Sequence, residues 1–151
     1  MNPEWYQVAE VDLVYKTKVK PSQRPQISSA EDCFRILRQI WDAGKIEMVE
    51  QFKVLFLNRA NKVLGVFDAS SGGITGTVAD PRIILAAAIK ANAVNLILSH
   101  NHPSGSLKPS RADEELTTKI KCAAQYLDIK VLDHVIITAE ECYSFANEGL
   151  L

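Results

Sequence analysis

The apolar run from Val94 to Ser99 constrains the fold of this chain more than any other segment. A strand that is apolar at nearly every position has both faces covered, as a central strand between layers of helices does. Helical patterns flank it. One begins at Asp80-Pro81, a capping residue followed by Pro at the first helical position, and another begins at Ser110. The middle of the chain therefore predicts an α/β fold, with a mixed β-sheet flanked by helices.

The segment before this α/β region is expected to be peripheral. Apolar and charged residues alternate from Val11 to Val19, which predicts a half-exposed strand, and Pro21 to Pro25 predicts a linker. The stretch Ser28-Ser29-Ala30-Glu31 fits a capping box for a helix that stops near Gly44. We therefore expect an N-terminal strand and linker over residues 1–29 and a single domain over residues 30–151.

Further strands are predicted on both sides of the central run. Phe52 to Leu57 and Val63 to Phe67 predict a hairpin with a turn at 58–62, and Ser70 to Gly73 predicts a loop. Strands are also predicted at Ile129 to Ile137 and at Tyr143 to Phe145. These strands complete the sheet around the Val94–Ser99 segment.

Composition excludes several classes of protein. The formal net charge of −1 provides no positive field for nucleic acid. No transmembrane span or signal-peptide pattern is present, so we expect a cytoplasmic protein that does not contact a membrane. Cys33, Cys122 and Cys142 are far apart and odd in number, which argues against a disulfide framework and against a thiolate zinc site.

Two histidines and one carboxylate follow the central strand closely. His100 and His102 alternate along an extended segment and so face the same way. Asp113 lies in the first turn of the helix predicted to start at Ser110, and a loop containing Pro and Gly can fold that turn back over the histidines. Two imidazoles and a carboxylate suit Zn²⁺ and leave a fourth position for water, which separates a catalytic site from a structural one.

Simpler interpretations and other metal motifs compete with this site. Ser110-x-x-Asp113 fits a capping box, and the histidines could be surface loop residues. An amidohydrolase barrel needs about 250 residues, zinc deaminases need H-x-E and P-C-x-x-C, and H-E-x-x-H is absent. The letters of the HNH nuclease motif denote residues scattered along a longer segment, so His-Asn-His does not match it.

Two longer strings resemble a known family. His-x-His-Pro followed by Ser-x-x-Asp resembles the JAMM motif of the JAB1/MPN metalloprotease superfamily. The segments from Asn95 to Gly105, Pro109 to Asp113 and Leu132 to Ile137 resemble its RadC branch, over about residues 30 to 147. The resemblance implies a cytidine-deaminase-like JAB1/MPN fold and a Zn²⁺ held by His100, His102 and Asp113 with one water.

The resemblance also implies two catalytic residues. A motif Glu precedes the first central strand, and Glu50 takes that place as general base and then acid. Glu47 is the alternative, and Glu50 is preferred because it abuts the strand. Ser110 matches the motif Ser, whose hydroxyl would stabilise the oxyanion. His134 is expected to be a hydrogen-bonded core residue, with the support of a metal ligand as the alternative role. Trp5, Tyr6 and Trp41 are expected to pack rather than to stack on bases.

These observations favour a zinc-dependent hydrolase of the metallopeptidase type, which cleaves an amide or isopeptide bond in a protein or peptide. The alternative is a RadC-like DNA-repair-associated or nucleic-acid-processing factor that uses the same metal. The charge balance disfavours it, and the expected N-terminal elements provide no helix-hairpin-helix region. A binding module with little catalysis is disfavoured because every ligand is retained. The strand at Val11 to Val19 could mediate a homodimer.

Overall fold

A computed structural model describes residues 8–9, 11–12, 14–73 and 78–151. The helices are α1 (Ala30–Ile40), α2 (Pro81–Lys90) and α3 (Arg111–Gln125), and a short 3₁₀ helix spans Pro21–Gln23. The strands are β1 (Gln51–Leu57), β2 (Val63–Ser71), β3 (Asn95–Asn101), β4 (Lys130–Ile137) and β5 (Cys142–Ser144). The predicted α/β fold is confirmed.

The five strands form one mixed sheet in the order β2-β1-β3-β4-β5. Strand β1 is antiparallel to both of its neighbours, whereas β3 and β4 are parallel. In the observed register, Phe52 of β1 pairs with His100 of β3, and His100 pairs with Ile136 of β4. The start of β1 and the carboxyl ends of β3 and β4 meet at one end of the sheet, which is where α/β proteins place their sites.

Helices cover both faces of the sheet. Helices α2 and α3 pack on the face that carries Phe52 and Leu98, and α1 packs on the face that carries Leu55 and Ile97. Ala88 of α2 is fully buried. Strand β3 is buried at every position after Asn95, and each large apolar side chain buried in this way stabilises the fold by roughly 1.5–3 kcal/mol.

The predicted strand at Val11 to Val19 is wrong for the described residues in that range, which form no strand. Alternation produces a strand only where one face is covered, and here Val11 is 87% exposed and Val14 is 47% exposed. Within the described residues, this segment contacts the sheet through Tyr15, whose hydroxyl donates to Leu64 O at 3.0 Å.

Several element boundaries differ from the predictions. The cap of α1 is Ser29 rather than Ser28, because Ser29 Oγ accepts from Asp32 N. Helix α1 ends at Ile40, since Trp41 is extended, and not near Gly44. Strand β2 includes Ser70 and Ser71, so the predicted loop begins two residues later. The Asp80 cap of α2 is confirmed, with Asp80 Oδ1 accepting from Arg82 N at 2.9 Å.

Candidate metal centre

Strand β3 and the turn after it position the two histidines. His100 is the penultimate residue of β3, and His102 N continues the pairing with β4 by donating to Ile137 O at 3.1 Å. The chain then turns, with Gly105 N donating to His102 O. Gly105 has a φ of 84°, a conformation that residues with a Cβ rarely adopt. This turn returns the chain to the start of α3.

Three side-chain atoms converge at this point: His100 Nε2, His102 Nε2 and Asp113 Oδ2. The two nitrogens are 2.9 Å apart, and they lie 3.3 Å and 3.4 Å from the carboxylate oxygen. Ligands held about 2.0–2.1 Å from a tetrahedral metal are about 3.3–3.4 Å apart. The group is thus compact enough to hold a metal ion.

The hydrogen bonds behind His102 fix which of its nitrogens faces the group. His102 Nδ1 lies 2.7 Å from Ser106 O, and a carbonyl oxygen only accepts, so Nδ1 carries the proton. In the neutral ring, Nε2 therefore presents a lone pair toward the carboxylate. A nitrogen lone pair and a carboxylate oxygen that face each other suit a cation between them.

Asp113 is both a capping residue and a member of the group. Ser110 Oγ accepts from Asp113 N at 3.0 Å, and Ser110 N donates to Asp113 Oδ2 at 2.8 Å. The capping box and the metal ligand, posed as alternatives, are therefore compatible. Burial alone raises the pKa of the Asp113 carboxyl, but hydrogen bonds from His100 and His102 outweigh it and lower the pKa below its usual value. Ser110 itself is exposed.

The charge of Asp113 also acts on His102. The hydrogen bond to Asp113 raises the pKa of the His102 imidazole, and partial burial opposes that rise. In the metal-free protein this pair therefore favours a protonated His102 beside an ionised Asp113. A bound cation would replace that proton.

Glu50 lies close enough to the three converging residues to interact with them electrostatically. Its backbone pairs with the two residues that follow β2, through Gly72 N to Glu50 O at 2.8 Å and Glu50 N to Gly73 O at 3.4 Å. Burial raises the pKa of its carboxyl, the charges of His100 and His102 oppose that rise, and Asp113 adds to it. Glu47 is exposed and lines a cleft with Pro103 and Glu140. The structure thus couples Glu50 to the histidines and Asp113.

Asn101, which the sequence reasoning missed, holds the segment that carries Glu50. Alternation directs its side chain to the face opposite the histidines, where it is fully buried. Its Nδ2 donates to Ile46 O at 2.7 Å and to Val49 O at 2.9 Å, and its Oδ1 accepts from Gln51 N at 2.7 Å. A buried Asn requires such partners, and that rule could have identified it.

His134 is a fully buried core residue, as predicted, and it also contacts a candidate ligand. Its Nε2 lies 2.7 Å from His100 Nδ1. Phe52 stacks on the His100 ring, and Phe145 stacks on the His134 ring. Thr117 Oγ1 lies 2.5 Å from His134 Nδ1, a contact that the sequence did not indicate.

The other predicted residues lie away from this centre. Trp41 is buried in the core, with Lys53 Nζ 5.2 Å from the ring centroid, whereas Trp5 and Tyr6 fall outside the described residues. Cys33, Cys122 and Cys142 are free thiols. Among the helices of the described ranges, none has the length and apolar character needed to cross a bilayer.

Comparison with known proteins identifies the family to which this chain belongs. The family model of the RadC-like JAB domain matches residues 27–150. A UPF0758 protein of Flavobacterium johnsoniae is 47% identical over 125 residues, covering 83% of this chain and 53% of its own. UPF0758 proteins of Variovorax paradoxus and Acidovorax ebreus are 44% and 33% identical, over 68% and 95% of this chain and 45% and 60% of their own. The chain thus spans about half the length of these curated relatives.

Proposed function

Because the chain belongs to the RadC-like JAB domain family, we propose that it is a zinc-dependent hydrolase of the metallopeptidase type. The bond cleaved is an amide or isopeptide bond in a protein or peptide. One observation carries the proposal: His100 Nε2, His102 Nε2 and Asp113 Oδ2 converge within 3.4 Å of one another. Two imidazole nitrogens and one carboxylate oxygen are the ligand set of many catalytic zinc sites.

The residues that would hold Zn²⁺ are His100, His102 and Asp113. When bound, Zn²⁺ supplies Lewis acidity, which polarises a carbonyl and lowers the pKa of water to about 7. Buried Phe52 lies parallel to the His100 ring, with ring centroids 6.0 Å apart, and adds apolar surface to that side of the centre. The remaining chemistry falls to residues of the chain.

Glu50 is the residue placed to move protons. Burial raises the pKa of its carboxyl, and a carboxyl whose pKa lies nearer neutrality can both accept a proton and return it. It takes a proton from the attacking water and delivers that proton to the leaving amine. Gly72 and Gly73 hold its backbone on one side, and Asn101 holds the neighbouring Val49 and Gln51 on the other, which limits where the Glu50 side chain can reach.

Ser110 assists at the carbonyl oxygen. Its Oγ accepts a hydrogen bond from Asp113 N, which leaves the hydroxyl proton for donation. Because Ser110 is exposed beside a candidate ligand, a substrate carbonyl can reach that proton. Donation there stabilises the oxyanion as negative charge develops.

Metal content of the purified protein tests the ligand set. We expect near-stoichiometric zinc in the wild type and in Glu114→Ala, which removes an exposed carboxylate from the same helical turn. His102→Ala and Asp113→Ala should lose the metal. Equal zinc in His102→Ala and in the wild type would refute the assigned site.

Turnover tests the assigned roles. Glu50→Gln should retain zinc and lose hydrolysis of fluorogenic peptide and isopeptide substrates, whereas Glu47→Gln, at an exposed position three residues earlier, should retain both. Full activity of Glu50→Gln would exclude Glu50 as the general base. Binding to single-stranded or branched DNA that weakens with salt, without peptide hydrolysis, would favour a nucleic-acid substrate instead.

A further inference from the structure

A row of buried polar groups runs from helix α3 to the first candidate ligand. Thr117 Oγ1 donates to Asp113 O at 2.6 Å and lies 2.5 Å from His134 Nδ1. His134 Nε2 lies 2.7 Å from His100 Nδ1, on the ring whose Nε2 faces Asp113. Thr117, His134 and His100 are each at most 2% exposed.

The direction of each hydrogen bond in this row follows from chemistry. The Asp113 carbonyl oxygen can only accept, so the single hydroxyl proton of Thr117 points toward it. Thr117 Oγ1 must then accept from His134, which places a proton on His134 Nδ1. His134 is fully buried, and its two ring nitrogens face a hydroxyl and an imidazole, neither of which carries a negative charge. A charged ring there would be a buried charge without a counter-ion, so the neutral ring is favoured and its Nε2 carries a lone pair.

The same reasoning reaches the ligand. Because His134 Nε2 accepts, His100 Nδ1 donates, and the proton of the neutral His100 ring is committed to that nitrogen. His100 Nε2 then presents its lone pair to the centre. His102 reaches the same state through Ser106 O, so two different acceptors orient the two histidines.

We infer that His134 and Thr117 fix the tautomer and orientation of His100, which makes His134 a positioning residue of the metal centre. The inference rests on the proposed metal-dependent function. The row also begins at the backbone carbonyl of Asp113, so it connects two ligands from different elements. Phe145 stacks on the His134 ring at a centroid distance of 4.5 Å, which keeps the ring in place and water out.

An imidazole acceptor has a specific consequence for the metal. The usual partners of a ligating His are a carboxylate, a backbone carbonyl or a water, and a carboxylate partner adds negative charge. A neutral His134 orients His100 without adding charge. The single negative charge of the ligand set therefore comes from Asp113.

Zinc affinity tests the inference without any substrate. Titration of the purified chain with Zn²⁺ against a chromophoric chelator should show His134→Leu binding about 10–100-fold more weakly than the wild type. His134→Gln should recover most of that loss, because its amide oxygen can accept from His100 while its NH₂ donates to Thr117. A purely steric role for His134 would leave both variants equally weakened.

Two threonines provide a matched pair. Thr117→Val removes the acceptor for His134 and should weaken zinc binding. Thr118→Val removes the same kind of helical hydrogen bond, from Thr118 Oγ1 to Glu114 O at 3.0 Å, at an exposed position without a His partner. Thr118→Val should bind zinc as the wild type does. This pair decides the matter if His134→Leu does not fold.

Long-range ¹H–¹⁵N spectra of the zinc-loaded protein report the tautomers directly. The chain has 3 histidines, so each ring can be assigned by substitution. We expect a protonated Nδ1 in every ring, with Nε2 bound to zinc in His100 and His102 and unprotonated in His134. A protonated Nε2 in His134 would overturn the inference, as would wild-type affinity in folded His134→Leu. If the wild type binds no zinc, the proposed function fails, and the inference fails with it.

Discussion

Asn101 lies between two candidate metal ligands in the sequence, but we expect its side chain to stabilise the fold rather than to bind the metal. Its side chain fastens the segment before β1, which carries Glu50, through three hydrogen bonds to Ile46 O, Val49 O and Gln51 N. Asn101→Ala removes all three and changes no atom of the converging group. The substitution therefore isolates the anchoring of the Glu50 segment from the metal centre.

The size of the effect follows from the number of bonds. A net contribution of about 1 kcal/mol for each hydrogen bond gives a loss of roughly 3 kcal/mol. For a chain of this size, 1 kcal/mol corresponds to about 2–4 °C, so the melting temperature should fall by roughly 6–12 °C. Water can reach the half-buried Ile46 and Val49, which favours the lower end of that range.

Denaturant unfolding and amide hydrogen exchange measure the two consequences. Exchange at Gln51 N should accelerate most, because its acceptor in the wild type is the deleted side chain. Asn58→Ala is the matched control, since Asn58 Oδ1 also accepts from two backbone amides, those of Ala60 and Lys62, but in a partly exposed turn. Equal losses of stability in the two variants, or unchanged protection of Gln51, would refute the anchoring role.

Three further predictions concern pH, thiols and a cap. The hydrogen bond to Asp113 raises the pKa of His102, so the metal-free wild type should be stabilised relative to His102→Gln below about pH 6.5 and lose that advantage as pH rises through the raised pKa. Stabilisation by added zinc should instead increase as pH rises, because zinc requires neutral histidines. Chemical denaturation at pH 5.5 and pH 8, with and without zinc, tests both signs. Burial raises the pKa of the Cys33 thiol to about 12, so iodoacetamide should label exposed Cys122 first and Cys33 only on unfolding, as mass spectrometry of a time course would show. Removal of the α2 cap in Asp80→Ala should cost about 1 kcal/mol in urea unfolding, whereas an unchanged midpoint would contradict the capping role.

The sequence predicted those parts of the fold that local pattern determines. The apolar Val94–Ser99 segment, the Asp80-Pro81 start of α2 and the Ser110 cap of α3 each depend on residues only a few positions apart. The candidate ligands could be predicted for the same reason. His100 and His102 lie at the end of one strand, and Asp113 lies in the first turn of the next helix. Alternation at Val11 to Val19 was misleading because a strand also needs a covered face.

The contacts of the supporting residues could not be predicted, because they depend on pairing between distant strands. His134 reaches His100 only because β3 and β4 are parallel and pair Leu98 with His134. Glu50 lies near the histidines because β1 pairs Phe52 with His100, and its role was identified through family resemblance rather than pattern. Thr117 joins the row because α3 packs on that face of the sheet.

The register of β3 determines which face of the sheet the His-Asn-His side chains point to, and the apolar residues alone do not specify that register. Both faces of β3 are buried, so a slip by one residue would exchange two apolar sets at little cost. Such a slip would turn Asn101 toward the metal centre and the histidines toward α1. The buried polar groups prevent it: Ser99 Oγ donates to Lys53 O at 2.9 Å, and Asn101 and His100 find all their partners only in the observed register. Because an unpaired buried polar group costs about 1–3 kcal/mol, the residues that would hold the metal and the Glu50 segment also select the register of the strand that carries them.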